Sequence, residues 1–311
     1  MSRREAAWVV PGAVYVLGYT LMNAAKSVFE GYVLVTLSPA FIAVNCFVLA
    51  QIVYLATHRE RGALLAKARG AWRHVLAINV TTALSWLAVL YALDALEPAV
   101  VNGLIVGAIP LITLALAPRL RPNAPILRQE LVAAVGCALS VLALVAVSAQ
   151  GLSGLGALPW TTVAVGVVAA LLTALGVSTN TYVTKALTER DFSSADIMTV
   201  RFTLLNVVAF AILASEGSWS PYTPATIGTI AVLTVIGVFI GIYLLQIGIS
   251  RTEPMTVSLL FSTNLIFTYL AQLADPRLAV SQASLVCVLL LTAFTVYGTV
   301  SLRRARKPAS A

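Results

Sequence analysis

The sequence predicts an all-α integral membrane protein whose ten transmembrane helices form two inverted five-helix repeats. Three observations predict this fold class: the composition, ten long apolar stretches and a similarity between the two halves of the chain. Hydrophobic residues make up 59% of the 311 residues and charged residues only 10%. A soluble domain has roughly 45–50% apolar and about 25% charged residues. The mean hydropathy of +0.93 agrees with this contrast, which excludes a soluble enzyme, a disordered chain and a disulfide-rich secreted domain.

The chain is also basic, with a formal net charge of +8 and a pI near 9.7. Basic residues are abundant in nucleic-acid-binding proteins, but they also mark the cytoplasmic loops of membrane proteins, so their placement decides between the two. The three cysteines, Cys46, Cys137 and Cys287, each stand alone in an apolar stretch without a CxxC motif or a histidine partner. This pattern is typical of buried small hydrophobic residues. We expect no metal and no cofactor.

Ten stretches of the chain are long and apolar enough to cross a membrane, which takes ~20 residues. The segments between them are short, carry turn-forming glycine and proline, and leave no room for a soluble domain. The first stretch contains Asn23 and Lys26 and lacks a cleavage site, so it is interpreted as a retained helix rather than a signal peptide. The ten stretches cover residues 8–28, 32–56, 75–93, 99–116, 131–148, 163–186, 195–214, 226–249, 255–273 and 284–302.

Lysine and arginine positions predict the orientation. With the N-terminus in the cytoplasm, 16 of the 20 basic residues lie in cytoplasmic segments, beginning with Arg3 and Arg4, and only Arg277 lies on the opposite side. Such a bias is the positive-inside pattern. The sequence therefore predicts a multi-pass protein of the inner (plasma) membrane, with both termini cytoplasmic and residues 151–156 outside. It also makes a nucleic-acid partner unnecessary as an explanation of the high pI.

The two halves of the chain carry related segments. Glu97-Pro98 leads into the fourth stretch and Glu253-Pro254 into the ninth, at an offset of 156 residues, half of the chain. The sequence therefore predicts an N-terminal repeat over residues 1–150 and a C-terminal repeat over residues 151–311. Because five is odd, the second repeat enters the membrane from the opposite side. Inverted repeats place a substrate site near the midplane, between halves that move to give alternating access.

Local segments resemble a known family. They are the run Tyr91-Ala-Leu-Asp-Ala-Leu-Glu-Pro-Ala-Val-Val-Asn-Gly-Leu-Ile, the following Ala108-Ile-Pro-Leu, the pair Arg201-Phe202, and residues 243–260. With the ten spans and the duplication, the chain resembles the EamA-like branch of the drug/metabolite transporter superfamily. The resemblance implies a secondary carrier, commonly an exporter of amino acids or other small metabolites. It also implies a small-molecule substrate, a lipid bilayer as the environment, and a monomer or homodimer.

Ionisable residues inside membrane spans are candidates for the substrate site, since a charge at the bilayer centre costs ~2.5–3.5 kcal/mol. No carboxylate falls in the middle of a predicted span, and Glu30 lies beyond the end of the first. Cations do occur, with Lys185 at the end of a polar stripe and Arg201 about two turns into its span. Neither residue needs a functional role. Lys185 can extend its charge to the membrane interface, and Arg201 can do the same or form a structural ion pair.

Neutral polar and aromatic residues inside the spans complete the candidate site, although such groups often only join helices. Cations without carboxylates suit a substrate that carries a carboxylate. We predict a central cavity, open to one side and lined by spans one, three, six, eight and nine, with Arg201 of span seven adjoining it. The candidate substrate-binding residues are Tyr19, Asn23, Trp86, Lys185, Arg201, Tyr243 and Ser262.

The sequence favours a secondary transporter, an exporter of a small amino-acid-like or carboxylate metabolite or drug. A second hypothesis is an exchanger of phosphorylated or nucleotide-linked sugars, with Lys185 and Arg201 holding the phosphate. A hypothesis from another class is an integral-membrane enzyme. The sequence disfavours it, because His58 and His74 both flank one cytoplasmic loop and no Asp/Glu/His constellation lies in the spans. We therefore predict that the protein is not an enzyme.

Overall fold

The structure, a computed structural model, describes residues 12–120, 127–251 and 254–306. Over these ranges the protein is 83% helical and contains no strand, so the predicted all-α class is confirmed. Arg3, Arg4 and Glu253, on which parts of the sequence argument rest, lie outside the described residues.

Thirteen α-helices and one π-helical segment make up the described part of the chain. The π-helical segment, Leu233–Gly241, joins α10 to α11. The α-helices are α1 (Gly12–Val33), α2 (Pro39–Thr57), α3 (Arg61–Gly70), α4 (Trp72–Ala95), α5 (Pro98–Leu120), α6 (Arg128–Ala149), α7 (Trp160–Thr188), α8 (Ser194–Val200), α9 (Thr203–Glu216), α10 (Pro224–Val232), α11 (Ile242–Arg251), α12 (Pro254–Gln272) and α13 (Gln282–Arg306).

Eight helical stretches within the described residues are long and apolar enough to cross a membrane. Helices also occupy the other two predicted spans, as α1 and α12. Lys26 and Glu30 lower the mean hydropathy of α1, which is not among the eight. The count of ten spans therefore stays a prediction. The eight stretches are Pro39–Thr57, Trp72–Ala95, Pro98–Leu116, Arg128–Ala149, Trp160–Thr188, Ser194–Glu216, Pro224–Gly248 and Gln282–Ser301.

Local sequence accounts for several helix ends. Ser38 caps α2 by accepting a hydrogen bond from the Phe41 amide at 3.2 Å, and Pro39 follows at the first helical position, where its missing N–H costs nothing. Ser193 caps α8 in the same way through the Asp196 amide. At its far end α9 stops at Gly217, which has a φ of +63° that glycine adopts without steric penalty.

Two predicted spans are less regular than their hydropathy indicates. The span at 195–214 is broken at Arg201 and Phe202, so that α8 ends and α9 begins there. The span at 226–249 contains the π-helical segment. Helix breaks and π-helical turns occur frequently at functional sites, and both irregularities adjoin the polar group described below.

Helices of one predicted repeat pack directly against helices of the other. Helix α4 packs along α7, α1 packs against α11 and α12, and α6 packs against α13. At Gly176 of α7 a Cβ atom would lie 2.8 Å from the backbone nitrogen of Ser85 on α4. The close α4–α7 approach therefore depends on a glycine, as is common between membrane helices.

Candidate functional site

Arg201 lies at the break between α8 and α9, and only 6% of the residue is exposed. Its Nε atom donates to the Thr82 hydroxyl at 3.2 Å, and its Nη2 atom donates to Asn180 Oδ1 at 3.2 Å. The Asn180 amide in turn donates to the hydroxyls of Thr81 and Thr82 on α4. Two helices, α4 and α7, thus hold the guanidinium through neutral groups.

The charge of Arg201 is not neutralised by these contacts. Within the described ranges, no carboxylate forms a salt bridge with Arg201. A buried cation without a counter-ion is unfavourable, and membrane proteins keep such groups mainly where they act on ions or substrates. Arg201 can therefore attract an anion, and its planar fork of N–H donors matches a carboxylate.

Aromatic rings form a continuous strip beside Arg201. The Phe202 ring lies 5.4 Å from that of Phe47, which lies 5.1 Å from the ring of Trp86. Tyr54 contacts the Phe202 ring at 6.4 Å and the Phe239 ring, in the π-helical segment, at 5.6 Å. We call these five residues the aromatic strip. Phe47 and Phe202 are themselves buried, at 3% and 0% exposed, so these two rings of the strip pack between helices.

The far end of the aromatic strip meets a second cation. Lys26 Nζ lies 4.7 Å from the centre of the Trp86 ring, a distance at which a cation is attracted to the ring face. The same Nζ atom forms an ion pair with Glu30 Oε2 at 2.7 Å, and the two side chains are 6% and 5% exposed. Lys26 therefore does not extend to the surface.

Glu30 lies within the first helix, so its predicted position beyond the end of the first span is wrong. Helix α1 continues to Val33, so Glu30 is buried inside it, one turn after Lys26. The physical reason is the i, i+4 spacing, which brings the two opposite charges together on one helix face. The expectation that no carboxylate is available inside the bundle fails with it.

Tyr19, Asn23 and Ser262 lie where α1 meets α12. The Tyr19 hydroxyl donates to Asn23 Oδ1 at 3.5 Å, and the Asn23 amide donates to Asn264 Oδ1 at 3.3 Å. Ser262 is fully buried nearby along α12. Tyr19 lies within electrostatic range of both Glu30 and Arg201.

Trp86 and Arg201 are thus joined by the aromatic strip, and Tyr19 and Asn23 lie on α1, the helix that carries Lys26. Lys185 and Tyr243 are placed differently. Lys185 is exposed on α7, and the Tyr243 residue is 51% exposed. The structure does not bring these two side chains into the buried polar group.

Several members of the group were not among the predicted site residues. Asn180 and Thr82 hold Arg201, and Phe47 and Phe202 link it to Trp86. The two phenylalanines give only a weak signal in the sequence, because an aromatic ring is an ordinary residue in an apolar span. The spacing of Phe47 and Tyr54, seven residues apart on α2, does indicate a shared aromatic face.

One end of the bundle is closed by contacts between the predicted repeats. Arg277 Nη1 donates to the Gly31 carbonyl at 2.7 Å, and the Ser284 hydroxyl donates to Glu97 Oε1 at 2.6 Å. Glu97 also accepts the Gly154 amide. Burial raises the pKa of Glu97, while these two hydrogen bonds oppose the rise.

The opposite end is joined through Asp196, at the start of α8. His58 Nε2 and Lys67 Nζ each lie 3.4 Å from one of its carboxylate oxygens. The polar group around Arg201 therefore lies between two sets of inter-repeat contacts. Over the residues that the structure describes, no cluster of three or more His, Cys, Asp and Glu side chains could hold a metal ion.

Apolar helices around a buried polar interior define the general class, a multi-pass membrane protein. Comparison with protein families is more specific. The model of the EamA-like transporter family matches residues 164–298, and this family is part of the drug/metabolite transporter superfamily. The resemblance identified in the sequence is thereby confirmed over this range of the chain. Arg201 falls inside the matched range.

Solved structures support the fold over nearly the whole chain. Nine chains of known structure match. One of them is the crystal structure of a protein that is 17% identical to this chain. The TM-score between the two is 0.66, and the match covers 95% of this chain and 98% of that one. At this identity the likeness concerns the fold alone. A search of curated proteins finds no match.

Proposed function

We propose that the protein is a secondary active transporter that exports a small amino-acid-like or carboxylate metabolite or drug. The observation that carries this proposal is Arg201, a buried guanidinium without a carboxylate partner among the described residues, next to the aromatic strip. The guanidinium would bind the carboxylate of the substrate, and the strip would contact its apolar part.

The proposed architecture is ten transmembrane helices in two inverted five-helix repeats, with alternating access to the Arg201 region. The eight apolar helical stretches, the helices at the two other predicted spans and the inter-repeat contacts support it. An experimental structure in a lipid environment would test it. Residues 8–148 should superpose on residues 163–302 after rotation about an axis in the membrane plane, and an axis along the membrane normal would contradict the proposal.

We place the protein in the inner (plasma) membrane with both termini cytoplasmic, as a monomer or homodimer. The distribution of basic residues supports this orientation, since 16 of 20 fall on one side. Its partners would be the small-molecule substrate and the surrounding lipid, without nucleic acid.

The sugar-phosphate alternative is less well supported. It requires Lys185 and Arg201 to converge on one phosphate, whereas Lys185 is exposed and Arg201 is buried. An integral-membrane enzyme is also less well supported, because the matching family is a family of transporters.

Transport by the purified protein in proteoliposomes would test the proposed function. Liposomes loaded with an unlabelled mixture would be offered labelled L-amino acids, lactate, pyruvate and a sugar phosphate. We expect exchange of at least one carboxylate compound above protein-free liposomes, with and without imposed pH and voltage gradients. Exchange confined to the sugar phosphate, or no exchange of any probe, would contradict the proposal.

A further inference from the structure

The ion pair of Lys26 and Glu30 is unusual in its position. Both side chains are buried in α1, and the Lys26 ammonium also faces the Trp86 ring at the end of the aromatic strip. Replacing a buried ion pair by apolar residues of similar size is often neutral or stabilising. Stability alone therefore gives little reason to keep this pair beside a candidate anion site.

An apolar cavity lies beside the stem of Lys26. It has a volume of about 160 Å³ and lies between α1 and the π-helical segment, and Lys26 and Gly237 both line it. A Cβ atom on residue 237 would lie 2.6 Å from Lys26 Cε. The π-helical turn and this glycine thus make the space in which the lysine stem lies.

Charge balance limits what the pair can do. If Glu30 alone took up a proton, Lys26 would be left as a buried cation without a counter-ion, which is costly. If an anion alone reached Lys26, two negative charges would share one cation. Only the two events together keep the site neutral.

We propose, on the basis of the proposed function, that Lys26 and Glu30 form a proton-coupled anion site. The carboxylate of the substrate replaces the Glu30 carboxylate at Lys26 Nζ, and a proton from water bonds to Glu30, which becomes a neutral carboxylic acid. One proton then crosses the membrane with each substrate anion. A carboxylate that accumulates in the cytoplasm leaves down its own gradient with this proton, and the step carries no net charge.

The surroundings of the pair are compatible with this exchange. Among the described residues, Tyr19 on α1 and Cys46 on α2 lie within electrostatic range of Glu30, and both are neutral near pH 7. The charged groups nearby are Arg201, which interacts with Tyr19, and Arg277, which donates to Gly31 next to Glu30. Arg201, at the other end of the aromatic strip, supplies the first contact for an anion that moves on to Lys26.

Binding of acetate tests the site without knowledge of the substrate. Trp86 contacts Lys26, so subtracting the fluorescence of a Trp86→Phe protein isolates a reporter of the site. Between about pH 6 and pH 8 acetate stays ionised, and its affinity for the wild type should rise up to about tenfold for each unit that the pH falls. In Glu30→Gln, which carries the neutral form permanently, the affinity should not depend on pH. Glu189→Gln, an exposed matched control, should behave as the wild type.

Transport gives the second measurement. With one proton per anion, a difference of one pH unit should concentrate the labelled carboxylate about tenfold in wild-type proteoliposomes, whatever the membrane voltage. Glu30→Gln should keep exchange but lose this accumulation. Glu30→Asp retains a carboxyl group and should retain accumulation, which separates coupling from a folding role.

Each outcome bears on one proposal. A wild-type affinity for acetate that does not change with pH, no response of Trp86 to acetate, or full accumulation in Glu30→Gln would each overturn the coupled site. Exchange without pH-driven accumulation would also overturn it, while leaving the proposed function intact. If no probe is exchanged but acetate binding depends on pH through Glu30, the proposed function fails and the proton-linked anion site stands.

Discussion

Gly237 lies directly against Lys26, so closely that a Cβ atom at position 237 would approach Lys26 Cε to 2.6 Å and Cδ to 2.7 Å. At the tip of the side chain, Lys26 Nζ forms an ion pair with Glu30 Oε2 at 2.7 Å and faces the Trp86 ring. The lysine stem therefore lies between the Lys26–Glu30 ion pair and the backbone of Gly237.

Gly237→Ala should accordingly displace Lys26 and weaken its ion pair. Overpacking of this kind costs about 1–3 kcal/mol, so we expect a lower thermal unfolding midpoint of the purified protein and a reduced transport rate. Gly228→Ala is the matched control, since nothing lies within 4 Å of a Cβ atom at that exposed position of α10. Equal midpoints and rates for the two variants would show that Gly237 is not required by Lys26.

Arg201→Lys tests whether the guanidinium binds substrate. Lysine keeps the charge but cannot make two parallel hydrogen bonds to a carboxylate, and hydrogen bonds to charged groups contribute about 1.5–3 kcal/mol each. We expect the apparent affinity for the transported carboxylate to fall by about tenfold or more. Arg190→Lys makes the same chemical change at an exposed arginine and should have little effect.

The readout that matters is affinity at equal amounts of folded protein. Loss of Arg201→Lys protein from the membrane would instead assign a folding role, through its bonds to Thr82 and Asn180. Wild-type kinetics at equal protein amounts would remove Arg201 from the substrate site.

Glu97 should make stability depend on pH. Its pKa is raised in the folded protein, chiefly by burial, so the folded state binds the proton more tightly than the unfolded state. This contribution to stability is present at low pH and is lost as the pH rises through the raised pKa. In wild-type protein the unfolding midpoint should therefore decline over part of the range above about pH 4.

Glu97→Gln cannot lose a proton and should not show this decline, although it keeps only one acceptor oxygen for the Gly154 amide and the Ser284 hydroxyl and is less stable throughout. Exposed Glu189, replaced by glutamine, should leave the wild-type slope unchanged. Thermal unfolding in detergent at a series of pH values measures all three. A slope in Glu97→Gln equal to that of the wild type would rule out Glu97 as its source.

Hydropathy predicted the helical spans because each is a local property of about twenty residues. Arg201 was identified as a candidate for the same reason, since a charge in an apolar run is visible in sequence. Irregular backbone was not predicted: Arg201-Phe202 contains neither glycine nor proline, yet the helix breaks there. The break and the π-helical segment depend on packing between helices that are distant in sequence.

Side-chain positions, too, could be predicted from local sequence but not where they depend on neighbouring helices. The pairing of Lys26 with Glu30 could have been predicted from their spacing, had α1 been extended to Val33. Lys185 could not be placed, because the sequence of α7 gives its polar stripe but not the neighbour that the stripe faces. In the structure Asn180 of that helix turns toward α4, and Lys185 is left exposed.

The orientation of the chain can be tested with single cysteines, because the native Cys46, Cys137 and Cys287 are all buried and should not react with a membrane-impermeant maleimide. Ser153, in the loop predicted to be external, is itself buried, whereas Ala157, four residues further along the chain, is exposed. Ala157→Cys should therefore be labelled in intact cells. Ala66→Cys, exposed on α3, should be labelled only after the membrane is permeabilised. Since both variants change an exposed alanine, a difference between them reports the side of the membrane rather than local burial. The reverse pattern would invert the topology and, with it, the direction in which a carboxylate and its proton would leave the cell.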